Sequence, residues 1–126
     1  IFTTIIIFFL GNNIDYSILE IENLDNFKET NIIVATKLID SFVKICEIKD
    51  YKILNNFKGS EFENTICTHP FLNLGYNYDI PMREARFVTL DQGTGIVHCA
   101  PSHGPDDYNL CIKNNFPSKH TVDNSG

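Results

Sequence analysis

Apolar residues fall in short, dense runs separated by polar turns, and this pattern predicts a series of short strands with two helices. Phe2–Phe9 is rich in β-branched and aromatic residues and reads as a strand. Tyr16–Glu22 is a second strand, and Asn31–Val34 a short buried third. The third runs into a helix from about Ala35 to Ile45. There Leu38, Phe42 and Ile45 recur at helical spacing, while Lys37, Asp40 and Lys44 fall outward. Further strands are expected at Tyr51–Phe57, closed by Gly59-Ser60, and at Asn64–Thr68, Ala85–Leu90 and Gly95–His98. His69-Pro70 and Ile80-Pro81 are forced into extended turns, because the residue before proline avoids the helical region. Asp91-Gln92-Gly93 is a turn. Pro105 suits the first turn of a helix reaching about Asn114, with Asp106 and Asp107 complementing its positive end. The fold class this predicts is mixed β with peripheral α, built as a closed or nearly closed β-barrel. A doubly wound parallel sheet fits less well, because strands and helices do not alternate.

Composition narrows the classes. With 126 residues, the chain fits one domain, 1–126, around one core. A net charge of −6 argues against a chain that grips nucleic acid alone, since phosphate neutralisation supplies most non-specific affinity. That leaves a protein that binds no nucleic acid, or one that touches only a short end while another region holds the rest. None of the four cysteines, Cys46, Cys67, Cys99 and Cys111, forms a C-x-x-C pair, so no structural metal is expected. Reduced thiols in cytosol or an organelle matrix are expected. The apolar opening Ile1–Leu10 is about half the ~20 residues of a membrane helix and lacks a basic start. It reads as a buried strand with no membrane role. A start inside an apolar run, without Met, suggests a piece of something longer.

The densest cluster of polar chemistry runs from Gly93 to Tyr108: Gly93-Thr94-Gly95-Ile96-Val97-His98-Cys99-Ala100-Pro101-Ser102-His103-Gly104-Pro105-Asp106-Asp107-Tyr108. It is a strand ending in a histidine, a Pro/Gly turn, and a helix start with two carboxylates. Such a turn brings the strand end and the helix N-terminus together, so His98 and Asp107 are expected to face one pocket. Singly, each has a plainer reading. His98 would be a core histidine, Asp106 or Asp107 a helix cap, Thr94 a turn residue. The combination is much rarer than its parts.

This string resembles the editing-domain signature of the isoleucyl-tRNA synthetases, G-T-G-x-V-H-x-A-P-x-H-G-x-x-D-Y. Phe57-Lys58-Gly59-Ser60-Glu61-Phe62-Glu63 is similar to the family's F-K-G-S-E-L-E, and Thr68-His69-Pro70-Phe71 to its following H-P element. The tail, Thr121-Val122-Asp123-Asn124-Ser125-Gly126, is similar to its P-V-D-D-x-G. The resemblance implies a β-barrel editing domain that hydrolyses valine misattached to isoleucine tRNA. It gives His98 the pocket for the amino-acid side chain and Asp107 the α-ammonium. Gly93, Thr94, Gly95, His103 and Asp106 fall in the substrate-binding stretch. A threonine-rich strand, T-T-T-P-W-T in the family, aligns with Thr3-Thr4-Ile5-Ile6-Ile7-Phe8 and puts Thr3 and Thr4 in the catalytic set. The implied partners are the 3′ end of mischarged valyl-tRNA and the rest of the synthetase chain. No cofactor is implied for this domain; ATP and Mg belong to the synthetic part of the full-length enzyme.

One departure opens a second reading. The family's third threonine, its proline and its tryptophan are replaced here by Ile5, Ile6 and Ile7. Each lost hydroxyl removes a hydrogen bond to substrate or water. The alternative is therefore a folded scaffold that binds an aminoacylated end weakly or not at all, without turnover. A metal-dependent hydrolase using His98, His103, Asp106 and Asp107 has the right donors, but across a Pro-containing turn rather than on one helical face. A cysteine hydrolase would need Cys99 beside His98, and strand alternation sends those side chains to opposite faces.

Overall fold

The computed structural model describes residues 5, 7–22, 30–91, 93–102, 104–113 and 115. In chain order the elements are β1 (Ile7–Leu10), β2 (Asp15–Ile21), β3 (Thr30–Ala35), α1 (Ile39–Ile45), β4 (Tyr51–Lys58), β5 (Ile66–Thr68), β6 (Asp79–Glu84), β7 (Ile96–Cys99) and α2 (Pro105–Lys113). Single 3-10 turns occupy Thr36–Leu38, Gly59–Phe62 and Leu72–Leu74. The chain divides into two compact units. The first comprises Ile1–Phe9, Asn64–Arg83 and Val97–Gly126, and the second Leu10–Glu63 and Glu84–Ile96.

The first unit is built on a four-stranded sheet in the order β5-β6-β1-β7. β5 and β6 run antiparallel, with Cys67 opposite Ile80. Ile5, Ile7 and Phe9 bury alternate positions of the apolar opening, as a strand requires, beside Ile80 and Met82 of β6. His69 is buried with them. Its ring stacks on Tyr76, with centroids 4.9 Å apart, and its Nδ1 accepts the Phe71 N–H at 3.0 Å.

The second unit holds a three-stranded antiparallel sheet in the order β3-β2-β4. β2 is central and buries Tyr16, Ser17, Leu19 and Ile21. Pairing of β2 with β4 shifts between Ile18 and Leu19, which face Asn55 and Ile53 and leave Leu54 as the extra residue of a bulge. Both Ile53 and Leu54 are then exposed, and the alternation expected of β4 is lost.

The expected closed or nearly closed barrel is not what forms. Among the described residues the strands make one sheet of four and one of three, and neither closes on itself. Closure requires the outer strands of one sheet to pair with a fixed stagger. Here β5 has only three residues and β4 is interrupted by its bulge, so each sheet ends in edges.

Two local expectations also change. The strand expected at Ala85–Leu90 lies instead at Asp79–Glu84, across Ile80-Pro81. Pro81 keeps an extended backbone and sits opposite Ile66, and the neighbouring Met82 N–H donates to Thr65. The first helix opens as a 3-10 turn, which changes the phase of its apolar stripe. Leu38 and Ile39 are buried while Ile45 is 79% exposed. Among the described residues no helix is long and apolar enough to cross a membrane.

Candidate functional site

In the first unit, β7 leads through a turn into α2. Cys99 points inward and is buried, whereas His98 on the same strand is exposed. Ala100 and Pro101 are buried behind the turn. A side-chain bond ties the turn to the helix: the Ala100 N–H donates to Oδ2 of Asp107 at 2.9 Å. Asp107 is half-buried in the first turn of α2, and its other carboxylate oxygen has no hydrogen-bond partner among the described residues. Asp106 is exposed. No hydrogen bond or ion pair joins the His98 imidazole to the Asp107 carboxylate. What couples them is backbone, since the amide that Asp107 holds lies two residues beyond His98. Thr3, Thr4 and His103 lie outside the described residues, as does the tail from Thr121 to Gly126.

Behind the turn two thiols meet. Cys99 Sγ lies 3.1 Å from Cys111 Sγ and 3.5 Å from the Asp107 carbonyl oxygen. Burial pushes both thiols up, and the neighbouring Asp107 charge adds to the shift. The folded state thus holds these protons more tightly than the unfolded chain. The stabilisation is complete below the ordinary thiol range and is lost as pH rises above it. Native-state alkylation with iodoacetamide at pH 8, read by mass spectrometry, should label exposed Cys46 quickly and leave Cys99 and Cys111 unlabelled until the chain unfolds. Fast labelling of Cys111 in the native state would contradict the packing of α2.

Gly93, Thr94 and Gly95 belong to the second unit. Gly93 and Gly95 carry φ of 75° and 76°, which an L side chain adopts only with strain. A Cβ on Gly95 would also lie 2.6 Å from the Ala35 Cβ. Thr94 is half-buried. Its carbonyl accepts the Ala35 N–H at 2.8 Å, and its hydroxyl has no partner among the described residues.

Two polar residues outside the expected site set prove central. Tyr16, fully buried in β2, donates its hydroxyl to the Gly95 carbonyl at 2.6 Å and accepts the Gly11 N–H at 3.0 Å. The other is His69, whose Nε2 is buried without a partner among the described residues. A tyrosine in an apolar strand carries no local mark of such bonds. The His-Pro dipeptide does signal a turn, and the Leu72 N–H closes it on the His69 carbonyl. Among the described residues, no three His, Cys, Asp or Glu side chains converge to hold a metal.

The fold is shared with a solved protein, the crystal structure of GlLeuRS-CP1, at a TM-score of 0.66 and 20% identity over 90% of this chain and 41% of that one. The chain therefore has the fold of that CP1 domain. No protein-family model matches the chain. In sequence it is 59% identical over 113 residues to the isoleucine–tRNA ligase of Pelagibacter ubique, which covers 90% of this chain and 12% of that ligase. Identity to the Gluconobacter oxydans ligase is 35% over 120 residues, and to that of Buchnera aphidicola 41% over 99 residues. The chain belongs to the isoleucine–tRNA ligases, as one segment of them. It spans about an eighth of the length of the relatives it matches, 12% for the first two.

Proposed function

We propose that this segment is the post-transfer editing module of an isoleucyl-tRNA synthetase, hydrolysing the ester that joins valine to isoleucine tRNA. The observation that carries the reading is the state of Asp107. Its carboxylate is half-buried and fixed by the Ala100 N–H through one oxygen, with the other left open. A fixed anion with a free oxygen is the natural partner of an α-ammonium, because charge-assisted hydrogen bonds are about twice as strong as neutral ones. The carboxylate then anchors the substrate and is not a general base. An ester is already activated, so the site's main task is to hold the acyl group and orient a water, which Thr3 and Thr4 would do. His98, exposed on β7 two residues before Ala100, would bound the pocket for the valine side chain. Gly93, Thr94, Gly95, His103 and Asp106 complete the binding set.

Such a site answers a physical limit. One methylene is worth only roughly 1–3 kcal/mol in an apolar pocket, and the sorting of isoleucine from valine by this enzyme family is the standard illustration. A second pocket that rejects isoleucine by overfilling gains a comparable factor in the opposite direction. The partners in this reading are the 3′ end of valyl-tRNA and the rest of the synthetase chain. The location is cytoplasm or an organelle matrix.

The test is a pair of substitutions in the full-length enzyme. Asp107→Ala removes both the anchor and the Ala100 bond. Asp107→Asn retains an oxygen for the Ala100 N–H but loses the charge. Both are expected to slow deacylation of valyl-tRNA by about a hundredfold, with isoleucine charging unchanged. Unchanged deacylation in Asp107→Asn would rule out the ammonium anchor. One observation favours a non-catalytic scaffold. Ile5, at the place of the family's third threonine, is buried at 2% exposure and offers no hydroxyl. A failure of the unsubstituted enzyme to deacylate valyl-tRNA would decide for that reading.

A further inference from the structure

We infer that Tyr16 is a positioning residue, whose hydroxyl holds the Gly11-Asn12 loop and the Thr94-Gly95 loop in fixed relation. The inference rests on the editing reading for its use, but the geometry stands by itself. A phenol has one proton to give and lone pairs to accept with. Tyr16 uses both: its proton goes to the Gly95 carbonyl at 2.6 Å, and its oxygen takes the Gly11 N–H at 3.0 Å. One oxygen atom therefore sets the spacing of two loops that lie 84 residues apart in sequence (Gly95 minus Gly11). That oxygen cannot wander. The ring is fully buried, and it is stacked on Phe57 at 6.0 Å with 16° between planes. Its edge lies 3.0 Å from where a Cβ on Gly59 would stand.

Both clamped loops carry groups able to meet a ligand. The Thr94-Gly95 segment is pinned at successive carbonyls, Thr94 by the Ala35 N–H and Gly95 by Tyr16, while the Thr94 hydroxyl stays unengaged among the described residues. Gly11 and Asn12 line a cleft of about 380 Å³ that also reaches the exposed Arg86. This volume lies within the range of small-ligand sites. A wall whose backbone is fixed on both sides by one rigid side chain is what a site needs when water must be placed accurately. A misplacement of about 1 Å can cost about a hundredfold in rate.

The test is Tyr16→Phe in the full-length enzyme, which keeps the ring and its stacking on Phe57. Two readouts are taken. Amide hydrogen exchange should rise in both the Gly11-Asn12 and Thr94-Gly95 segments, while the β2–β3 pairing stays protected. In valyl-tRNA deacylation, kcat should fall by roughly 10- to 100-fold, with KM held within about twofold. Leu19→Ala is the control, a cavity in the same sheet at a position paired with Ile32 and Ile53; it should leave kcat within about twofold below its melting range. Unchanged exchange in the two loops overturns the proposal. So does loss of protection throughout β2 and β3, since the hydroxyl would then be holding the sheet rather than the loops. An unchanged kcat, or an equal fall in Leu19→Ala, removes the positioning role while leaving the editing reading intact. If the unsubstituted enzyme does not deacylate valyl-tRNA, the editing reading falls, and hydrogen exchange alone decides the clamp.

Discussion

Gly59→Ala is expected to destabilise the second unit by more than about 3 kcal/mol, at the upper end of what overpacking costs. The added Cβ would overlap the Gly11 carbonyl oxygen and lie 2.9 Å from the Gly11 carbonyl carbon. Backbone cannot swing away as a flexible side chain does. Nor can Gly59 retreat, since its own N–H donates to the Ile14 carbonyl at 2.9 Å and the Ser60 N–H reaches the Asn12 carbonyl at 3.3 Å. Relief would require breaking one of these bonds or displacing Tyr16, whose hydroxyl holds the Gly11 N–H. Ser60→Ala, one residue along on an exposed position, should change stability by less than about 0.5 kcal/mol. Urea denaturation of the two variants beside the parent chain checks the contrast. A Gly59→Ala protein within about 1 kcal/mol of the parent would show that the Gly11 loop yields.

A part of the fold is legible in sequence where its own residues decide its structure. β2, β3, β4, β7 and α2 lie within a residue or two of their expected places, because each is announced locally by an apolar run or a Pro-led start. β6 was not, because Pro81 reads as a breaker, yet the backbone it dictates is already extended and only one donor is lost. Nor was the division into two open sheets in place of the expected barrel, because closure is decided by which strands pair, and pairing leaves no mark in a single strand. The bulge at Leu54 likewise depends on the partner, where Ile18 and Leu19 face Asn55 and Ile53.

Legibility at the candidate site divides along the same line. The run from Gly93 to Tyr108 marked the strand, the turn and the helix start, because chemistry-bearing residues are contiguous there. What sequence could not convey is how each is held. Asp107 owes its placement to a backbone amide at Ala100, Thr94 to the Ala35 amide of β3, and Gly95 to the Tyr16 hydroxyl of β2. These holding groups are a common amide and an apolar-looking strand tyrosine. They are invisible until the chain is folded, and they determine whether the marked residues form a site or merely a surface.

The second large effect concerns His69, where the competing terms can be set against one another. His69→Ala removes a fully buried ring, its stacking on Tyr76 at 4.9 Å and the acceptor of the Phe71 N–H. Loss of a buried aromatic costs about 3–5 kcal/mol, and an abandoned amide about 1–3 kcal/mol more. Against this, alanine relieves the buried Nε2, a donor without a partner among the described residues, worth about 1–3 kcal/mol. The last two terms nearly cancel, so packing decides, and a net loss of about 3–5 kcal/mol is expected. His69→Phe isolates that cancellation. It keeps the ring among Phe71, Tyr76 and Tyr78, removes the orphan donor and forfeits the acceptor, so it should cost less than about 1.5 kcal/mol. Midpoints of urea unfolding for the two variants measure the difference. A phenylalanine variant as unstable as the alanine one would mean that Nε2 is not orphaned but bonded, for instance to the face of the Tyr78 ring, tilted at 56° with its centroid 5.1 Å away. The segment after Pro70 would then be held by a histidine using both nitrogens, and phenylalanine would be no substitute there.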